Sequence, residues 1–321
     1  MKRNRKIFSV LACVMAMALL FTACAGNGGA AETGDGVEGA EVTMILKNFA
    51  NPFWISVREG AEAAAEYYGM DLTVLAPLIA ESNEEQSQMA DQAIVNEVDL
   101  VIMCPTDTYA IIPAVERIYE AGIPIVALNT RIGGDILWET FVAVENYNVG
   151  YDTMTALAEL MGGEGYLILL EGVPGAQSSI DRIAGAHSAL ENFPGITLLT
   201  QQSAEFNRAI AMDVMQNLLQ AHPNVTGIYA ANDEMALGAV QAIDAAGLTG
   251  QILIAGTDAN DDAIQAMKDG LMSLTCSTQP FMQGWYAVSA AAEVLRGNEL
   301  PDFFRVPIRV LGVDDLDDWL D

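Results

Sequence analysis

Histidine is nearly missing from the chain, with 2 among 321 residues. So little imidazole leaves small scope for zinc sites or for acid–base triads built on histidine. Cysteine is scarce as well, with 4 in all. There is no CxxC pair and no zinc spacing, so neither a disulfide scaffold nor a metal ribbon is supported. Basic residues number 14 against 43 acidic ones, a formal net charge of −29. A surface of that sign repels phosphate backbones and excludes a nucleic-acid partner. A nucleophile elbow and a phosphate-binding loop are also missing. One GxGxxG does occur, from Gly34 to Gly39. It precedes the first strand and opens no helix, which is the wrong place for a dinucleotide.

What is present begins with an address. Lys2, Arg3, Arg5 and Lys6 are followed by an apolar run from Ile7 to Phe21 and by Thr22-Ala23-Cys24. A basic flank, a short apolar core and small residues before the cut make a secretory signal peptide over residues 1–23. The run falls short of the roughly 20 apolar residues that span a bilayer as a helix. Phe21-Thr22-Ala23-Cys24 resembles a bacterial lipobox, which makes Cys24 the lipidated first residue of the mature chain. Residues 24–40 are rich in Gly, Ala and acids without periodicity and read as a flexible tether. All four basic residues of the leader leave with it. The chain beyond then carries ten basic and 43 acidic residues, a net of −33. Cys104 and Cys276 lie in apolar runs and read as buried free thiols rather than as a pair.

Hydrophobic residues make up 52% of the chain, and 321 residues suffice for about two domains at roughly 150 residues each. From Glu41 onward strand-length apolar runs alternate with helical patterns. Strands are expected at residues 42–46, 72–75, 100–103, 125–128, 141–144, 166–170, 196–200, 227–230, 252–255 and 271–276. Asn51-Pro52 opens a helix that stops at Gly69, and Ser82-Asn83-Glu84-Glu85 spells a capping box. Helices are also expected at 110–121, 208–221, 234–246, 259–268 and 282–295. This alternation predicts an α/β fold of parallel βαβ units in two doubly wound lobes. Ligands of such sheets sit beyond the C-terminal strand ends.

Those ends carry Asn48, Asn51, Cys104-Pro105-Thr106-Asp107, Asn129-Thr130-Arg131, Glu171, Asn232-Asp233, Thr257-Asp258 and Thr278-Gln279. Amides and carboxylates offer paired donors and acceptors, which suits a ligand rich in hydroxyls. Arg182 adds a planar fork, and Phe53 and Trp54 offer faces on which a sugar stacks. Asn51, Asn129, Asn232 and Asp258 equally suit helix caps and turns. Asp258 to Asp262 starts like a calcium loop but has Ala263 at the sixth position and Asp269 at the twelfth. His187 and His222 sit in helical contexts with no catalytic company, and the acidic stretch from Asp314 to Asp321 reads as a solvated end.

Several of these segments carry a resemblance. Asn51-Pro52-Phe53-Trp54, Pro105-Thr106-Asp107, Met215-Gln216-Asn217-Leu218-Leu219 with Ala221-His222-Pro223, Ala231-Asn232-Asp233-Glu234-Met235-Ala236-Leu237-Gly238 and Thr257-Asp258 are similar to the periplasmic ribose-binding protein family. This is the pentose and hexose branch of the solute-binding proteins that serve ABC importers. The resemblance spans Glu41 to Val313. It implies a type I periplasmic binding fold, two Rossmann-like lobes with parallel sheets joined by three crossover strands. It places residues 41–143 with 279–306 in the N-terminal lobe and 144–278 with 307–321 in the C-terminal lobe. By position, Asn51, Phe53 and Trp54 match first-lobe sugar contacts. Phe206 matches a second-lobe stacking aromatic, and Arg182, Asn232 and Asp258 match second-lobe polar ligands.

The departures fall on the first lobe. Cys104 stands where ribose binders have Asn, and Asn129-Thr130, with Arg131 next, where they have Asp-Arg. Lys47 replaces a small residue. The family glutamine before the last helix falls on Thr278, with Gln279 adjacent. The resemblance implies a monomer that captures a pentose, hexose or related polyol by hinge closure and hands it to a membrane permease. It implies no metal, cofactor or catalysis. The alternative on the same fold is a sensor of a sugar or sugar-like signal feeding a receptor or histidine kinase. A sugar-responsive repressor would need an N-terminal helix-turn-helix where this chain has its leader, and an enzyme would have to turn its sugar over.

Overall fold

The computed structural model describes residues 37–134 and 138–317. The signal peptide, Cys24 and the tether as far as residue 36 lie outside the described residues.

Each apolar run of the sequence becomes a short buried strand. The first sheet holds β1 (Glu41–Ile45), β2 (Asp71–Leu75), β3 (Leu100–Met103), β4 (Ile125–Leu128) and β5 (Thr140–Ala143). The second holds β6 (Glu164–Glu171), β7 (Gly195–Ser203), β8 (Gly227–Ala230), β9 (Leu253–Thr257) and β10 (Leu274–Ser277). Two later strands, β11 (Phe303–Arg305) and β12 (Arg309–Gly312), complete one sheet each. The strand orders are β11-β5-β4-β3-β1-β2 and β12-β10-β9-β8-β6-β7. Every pairing is parallel except β10 with β12. The chain therefore passes between the sheets three times, after β5, after β10 and after β11.

Nine α-helices are found among the described residues: α1 (Pro52–Tyr68), α2 (Asn83–Val95), α3 (Ile112–Glu120), α4 (Asn146–Leu160), α5 (Gln177–Leu190), α6 (Arg208–Ala221), α7 (Asp233–Ala245), α8 (Asp261–Lys268) and α9 (Pro280–Leu295). Side chains alternate across a strand, so each sheet buries both faces under helices. In the first sheet Met44, Leu46, Leu100, Ile102, Val126 and Leu128 share a core with residues of α1 and α9. Their neighbours Ile45, Val101, Met103, Ile125 and Ala127 share another with α2 and α3. The second sheet is covered in one continuous core reaching from Met154 to Leu316. Helices α1 and α9 pack at backbone contact. A Cβ at Gly60 would collide with the carbonyl of Phe281, and one at Gly284 with the carbonyl of Val57. This close pairing ties the late helix α9 to the first sheet.

The structure corrects four details of the sequence reading. The last residues of the expected tether are docked: Val37 is buried in the first core and the Gly39 N–H donates to the Gly69 carbonyl at 2.7 Å. Half of the capping box forms. Ser82 accepts from the Glu85 N–H, but the Glu85 carboxylate turns to the N–H groups of Leu78 and Ile79. Strands β11 and β12 were not evident, being only three and four residues long. Within the acidic end, Leu316 is buried and Asp315 accepts from the Gly312 N–H at 2.8 Å and pairs with Arg309. That part of the tail is folded rather than free.

Candidate functional site

The C-terminal ends of both sheets converge on one cavity of about 290 Å³, near the lower end of the ~300–1,000 Å³ typical of small-molecule pockets. One wall comes from the first sheet and its helices, the other from the second.

The first wall is built at the start of α1. Asn51 is the helix N-cap: its side-chain oxygen accepts from the Phe53 N–H at 2.9 Å. Its own N–H donates to the Asn48 side chain at 2.9 Å. The cap sets the entry angle of the helix and so places Phe53 and Trp54 side by side. Their rings meet edge to face, with centroids 4.6 Å apart and planes at 83°. Lys47 follows β1, is 3% exposed, and lies 5.6 Å from the Trp54 ring centroid. Asn129, with φ of 60°, turns the chain after β4, and its amide donates to the Gln283 side chain at 3.0 Å.

The second wall centres on Arg182, 4% exposed on α5. Its guanidinium donates to the Asn146 side chain at 2.9 Å and to the Ala231 carbonyl at 2.7 Å, and lies 3.9 Å from the Asp258 carboxylate. Asn232 caps α7 through the Met235 N–H at 3.0 Å. Phe206 and the preceding Glu205 both have φ of 55°. Two consecutive non-glycine residues in the left-handed region cost of order 1–2 kcal/mol each. The loop is held in that shape because the Phe206 ring lies on Gly172, where a Cβ would collide with the ring carbons. Beside it Arg208 forks onto both Glu234 oxygens at 2.9 and 2.7 Å and reaches Asp262 at 2.8 Å.

Burial dominates the electrostatics here. It holds the Asp258 carboxyl well above the usual range, with Arg182 opposing and Asp233 reinforcing the shift. Thr278 donates to Asp258 at 3.4 Å. A carboxylate served by one long hydrogen bond and a guanidinium at 3.9 Å retains capacity for ligand donors. Burial also pushes Asp233 up to about 6, against the hydrogen bonds it accepts from Thr275 and from the backbone of Asn260 and Ala259.

Of the residues singled out by sequence, Asn51, Phe53, Trp54, Asn129, Arg182, Phe206, Asn232 and Asp258 line this cavity. Capping and lining turn out to be compatible, since Asn51 and Asn232 do both. Cys104, Arg131, Thr278 and Gln279 lie outside the lining, as do the strand-end residues Pro105, Thr106, Asp107, Thr130, Glu171, Asp233 and Thr257. Cys104 is fully buried in the core shared with α1, and burial pushes its thiol up to about 12. The side chain in phase with Ile102 on β3 points at the helices rather than the cleft. Arg131 lies over the Phe141 ring in a neighbouring hollow. Thr278 stands behind Asp258 as a supporting donor. Gln279 turns away with φ of 51° and donates to the Pro307 carbonyl at 2.8 Å, at a crossing between the sheets. Cys104 and Cys276 are both buried and unpaired with each other. Among the described residues no group of His, Cys, Asp and Glu could hold a metal.

Sequence reasoning did not assign Glu81, Ser178, Arg208 or Glu234 to the site, yet all line the cavity. Arg208 lies two residues after the flagged Phe206 and Glu234 directly follows the flagged Asn232-Asp233, which was the available signal. Glu81 sits in a loop without pattern and gave none.

The family model described as a periplasmic binding protein domain matches residues 42–299. The ribose import binding protein of Bacillus subtilis is 35% identical over 271 residues, covering 84% of this chain and 86% of that protein. A solved ABC transporter periplasmic solute-binding protein of Actinobacillus succinogenes, with bound D-allose, has a TM-score of 0.83 and 34% identity, covering 87% of this chain and 99% of that one. A solute-binding protein of Bacillus halodurans, with bound myo-inositol, has a TM-score of 0.82 and 26% identity, covering 90% and 99%.

The geometry around Arg182 makes a prediction. Removing one partner of a buried charge pair costs about 3–5 kcal/mol, because the other charge is left uncompensated. Urea denaturation of Arg182→Met at neutral pH should show a loss of that order. The double variant Arg182→Met/Asp258→Asn should recover part of it. A double variant no more stable than Arg182→Met alone would contradict the coupling.

Proposed function

The chain belongs to the periplasmic binding protein family, and from that premise we propose that it captures a monosaccharide or a closely related polyol between its two sheets. The observation that carries the proposal is the composition of the cavity. Aromatic faces from Phe53, Trp54 and Phe206 stand among paired polar groups from Asn51, Arg182, Asn232 and Asp258. An aromatic face packs on the apolar face of a sugar ring, while amides, guanidinium and carboxylate read its hydroxyls. The relatives named for ribose, D-allose and myo-inositol fit a neutral polyhydroxylated ligand of one ring. The protein performs no chemistry on it; affinity comes from hydrogen bonds made in a cleft shielded from water.

Capture couples to closure. The Thr130 hydroxyl after β4 donates to Ser178 at the start of α5 at 3.4 Å, and it also accepts from Lys47 at 2.8 Å. This chain of contacts joins the two walls beside the cavity, and the three crossings between the sheets act as the hinge. The closed, monomeric form delivers its sugar to the permease of an ABC importer. Cys24, the lipidated first residue of the mature chain, holds it at the outer face of the membrane. The basic flank, apolar core and Phe21-Thr22-Ala23-Cys24 support that anchor. No helix among the described residues is long and apolar enough to cross a membrane.

Calorimetry with D-ribose, D-allose, D-galactose and myo-inositol tests the binding proposal. At least one should bind with a Kd of about 1 μM or tighter, roughly −8 kcal/mol. Binding to none of these nor to any other sugar or polyol would overturn it. For the anchor, Cys24→Ala in the full chain should abolish incorporation of labelled palmitate and release the protein from the membrane fraction. Continued labelling of the variant would contradict the lipid site.

A further inference from the structure

The first-sheet wall contains two opposite charges that the cavity keeps apart. Lys47 has three N–H donors and spends one on the Thr130 hydroxyl at 2.8 Å. Glu81 is held differently. Its Oε1 accepts from the Asn48 amide at 2.9 Å, and Asn48 is itself fixed by the Asn51 N–H. Its Oε2 is buried with no hydrogen-bond partner. Both residues line the cavity, and neither takes part in an ion pair among the described residues. The field of Lys47 nonetheless acts on Glu81, countering the burial that raises its carboxyl. The backbone of Glu81 adds a second sign: its φ is 62°, a conformation that a non-glycine residue adopts at a cost. A buried carboxylate oxygen without a donor is expensive, of order 1–3 kcal/mol or more. A strained residue that carries one into a cleft is placed for something that enters the cleft.

We propose, resting on the sugar-binding reading above, that Lys47 and Glu81 are specificity-determining residues that select a neutral polyhydroxylated ligand. Ligand hydroxyls donate to Glu81 Oε2 and accept from the free N–H groups of Lys47. A hydroxyl can do both, which a carboxylate or an ammonium group cannot. The two side chains together are neutral, so a neutral ring satisfies both. A sugar acid would gain from Lys47 but meet the Glu81 carboxylate, and an amino sugar would gain from Glu81 but meet the Lys47 ammonium. Discrimination then rests on like-charge repulsion as much as on attraction. In the second wall Arg182 pairs with Asp258 and Arg208 with Glu234, and the one unpaired charge lining the cavity there, Glu205, is exposed. The buried charges left unpaired against the cavity are those of the first wall.

Calorimetry with D-ribose, D-allose, myo-inositol, D-glucuronate and D-glucosamine as probes tests this on the wild type and on Lys47→Met and Glu81→Gln. The wild type should bind a neutral probe at least about tenfold more tightly than either charged one. Each variant should weaken the best neutral probe by about tenfold. Glu81→Gln should shift the ratio toward D-glucuronate and Lys47→Met toward D-glucosamine. Variants that keep both affinity and rank order within about twofold would overturn the proposal while leaving sugar binding intact. So would a wild type that prefers a charged probe, a comparison that needs no variant to fold. A wild type that binds no sugar at all removes the functional reading itself, and this inference with it.

Discussion

Arg182 keeps a full positive charge with only 4% of its surface exposed, and its surroundings are arranged around that fact. A guanidinium taken out of water must have its donors satisfied from the protein. Asn146 at the start of α4, the Ala231 carbonyl at the end of β8 and Asp258 after β9 supply what it needs. Each partner is the first residue past a strand or the first residue of a helix. The charge therefore aligns the ends of several elements on one point, and that point is a wall of the cavity. Asp258 is in turn held with one long bond from Thr278. The wall is rigid but still has acceptor capacity left over, which is the condition for reading hydroxyls.

Much of this was legible in the sequence because it follows from local rules. Strand-length apolar runs separated by capped helices specified parallel βαβ units, and Asn51 and Asn232 cap the helices that follow them through their own side chains. Of the residues flagged just past the strands of the second sheet, Asn232 and Asp258 line the cavity, while Glu171, Asp233, Thr257, Thr278 and Gln279 do not. What failed was governed by things a linear pattern does not carry. Cys104 lies at a strand end, but its parity on β3 turns it into the core. Arg131 is two residues beyond the turn made by Asn129, enough to send it to a different hollow. Glu81 is brought in by a loop whose shape depends on a left-handed residue and on Asn48, thirty-three positions earlier. Strands β11 and β12 are too short to show a period, and they form because edges of existing sheets await them.

The two walls also differ in how their charges are spent. In the second Arg182 and Arg208 are paired with Asp258 and Glu234 and only the exposed Glu205 is left over, whereas in the first the buried Lys47 and the half-buried Glu81 are held by neutral polar groups and line the cavity. The resemblance to ribose binders put its departures at Lys47 and Asn129-Thr130 beside this cavity and at Cys104, which lies in the core. The replacement is coherent. Lys47 donates to Thr130, so the residue that stands in the place of an arginine anchors the new cation. The proposed selection rests on a few buried charges, where fields are screened far less than at the surface.

The central claim is that one sugar ring occupies the space between the aromatic faces of the two walls. A crystal structure of the protein with its tightest-binding sugar tests it most directly. The account predicts a ring lying between Trp54 and Phe206, with its hydroxyls within hydrogen-bond distance of Asp258, Arg182 and Asn232. A ligand bound elsewhere on the chain, or a cleft left empty at saturating sugar, would contradict it.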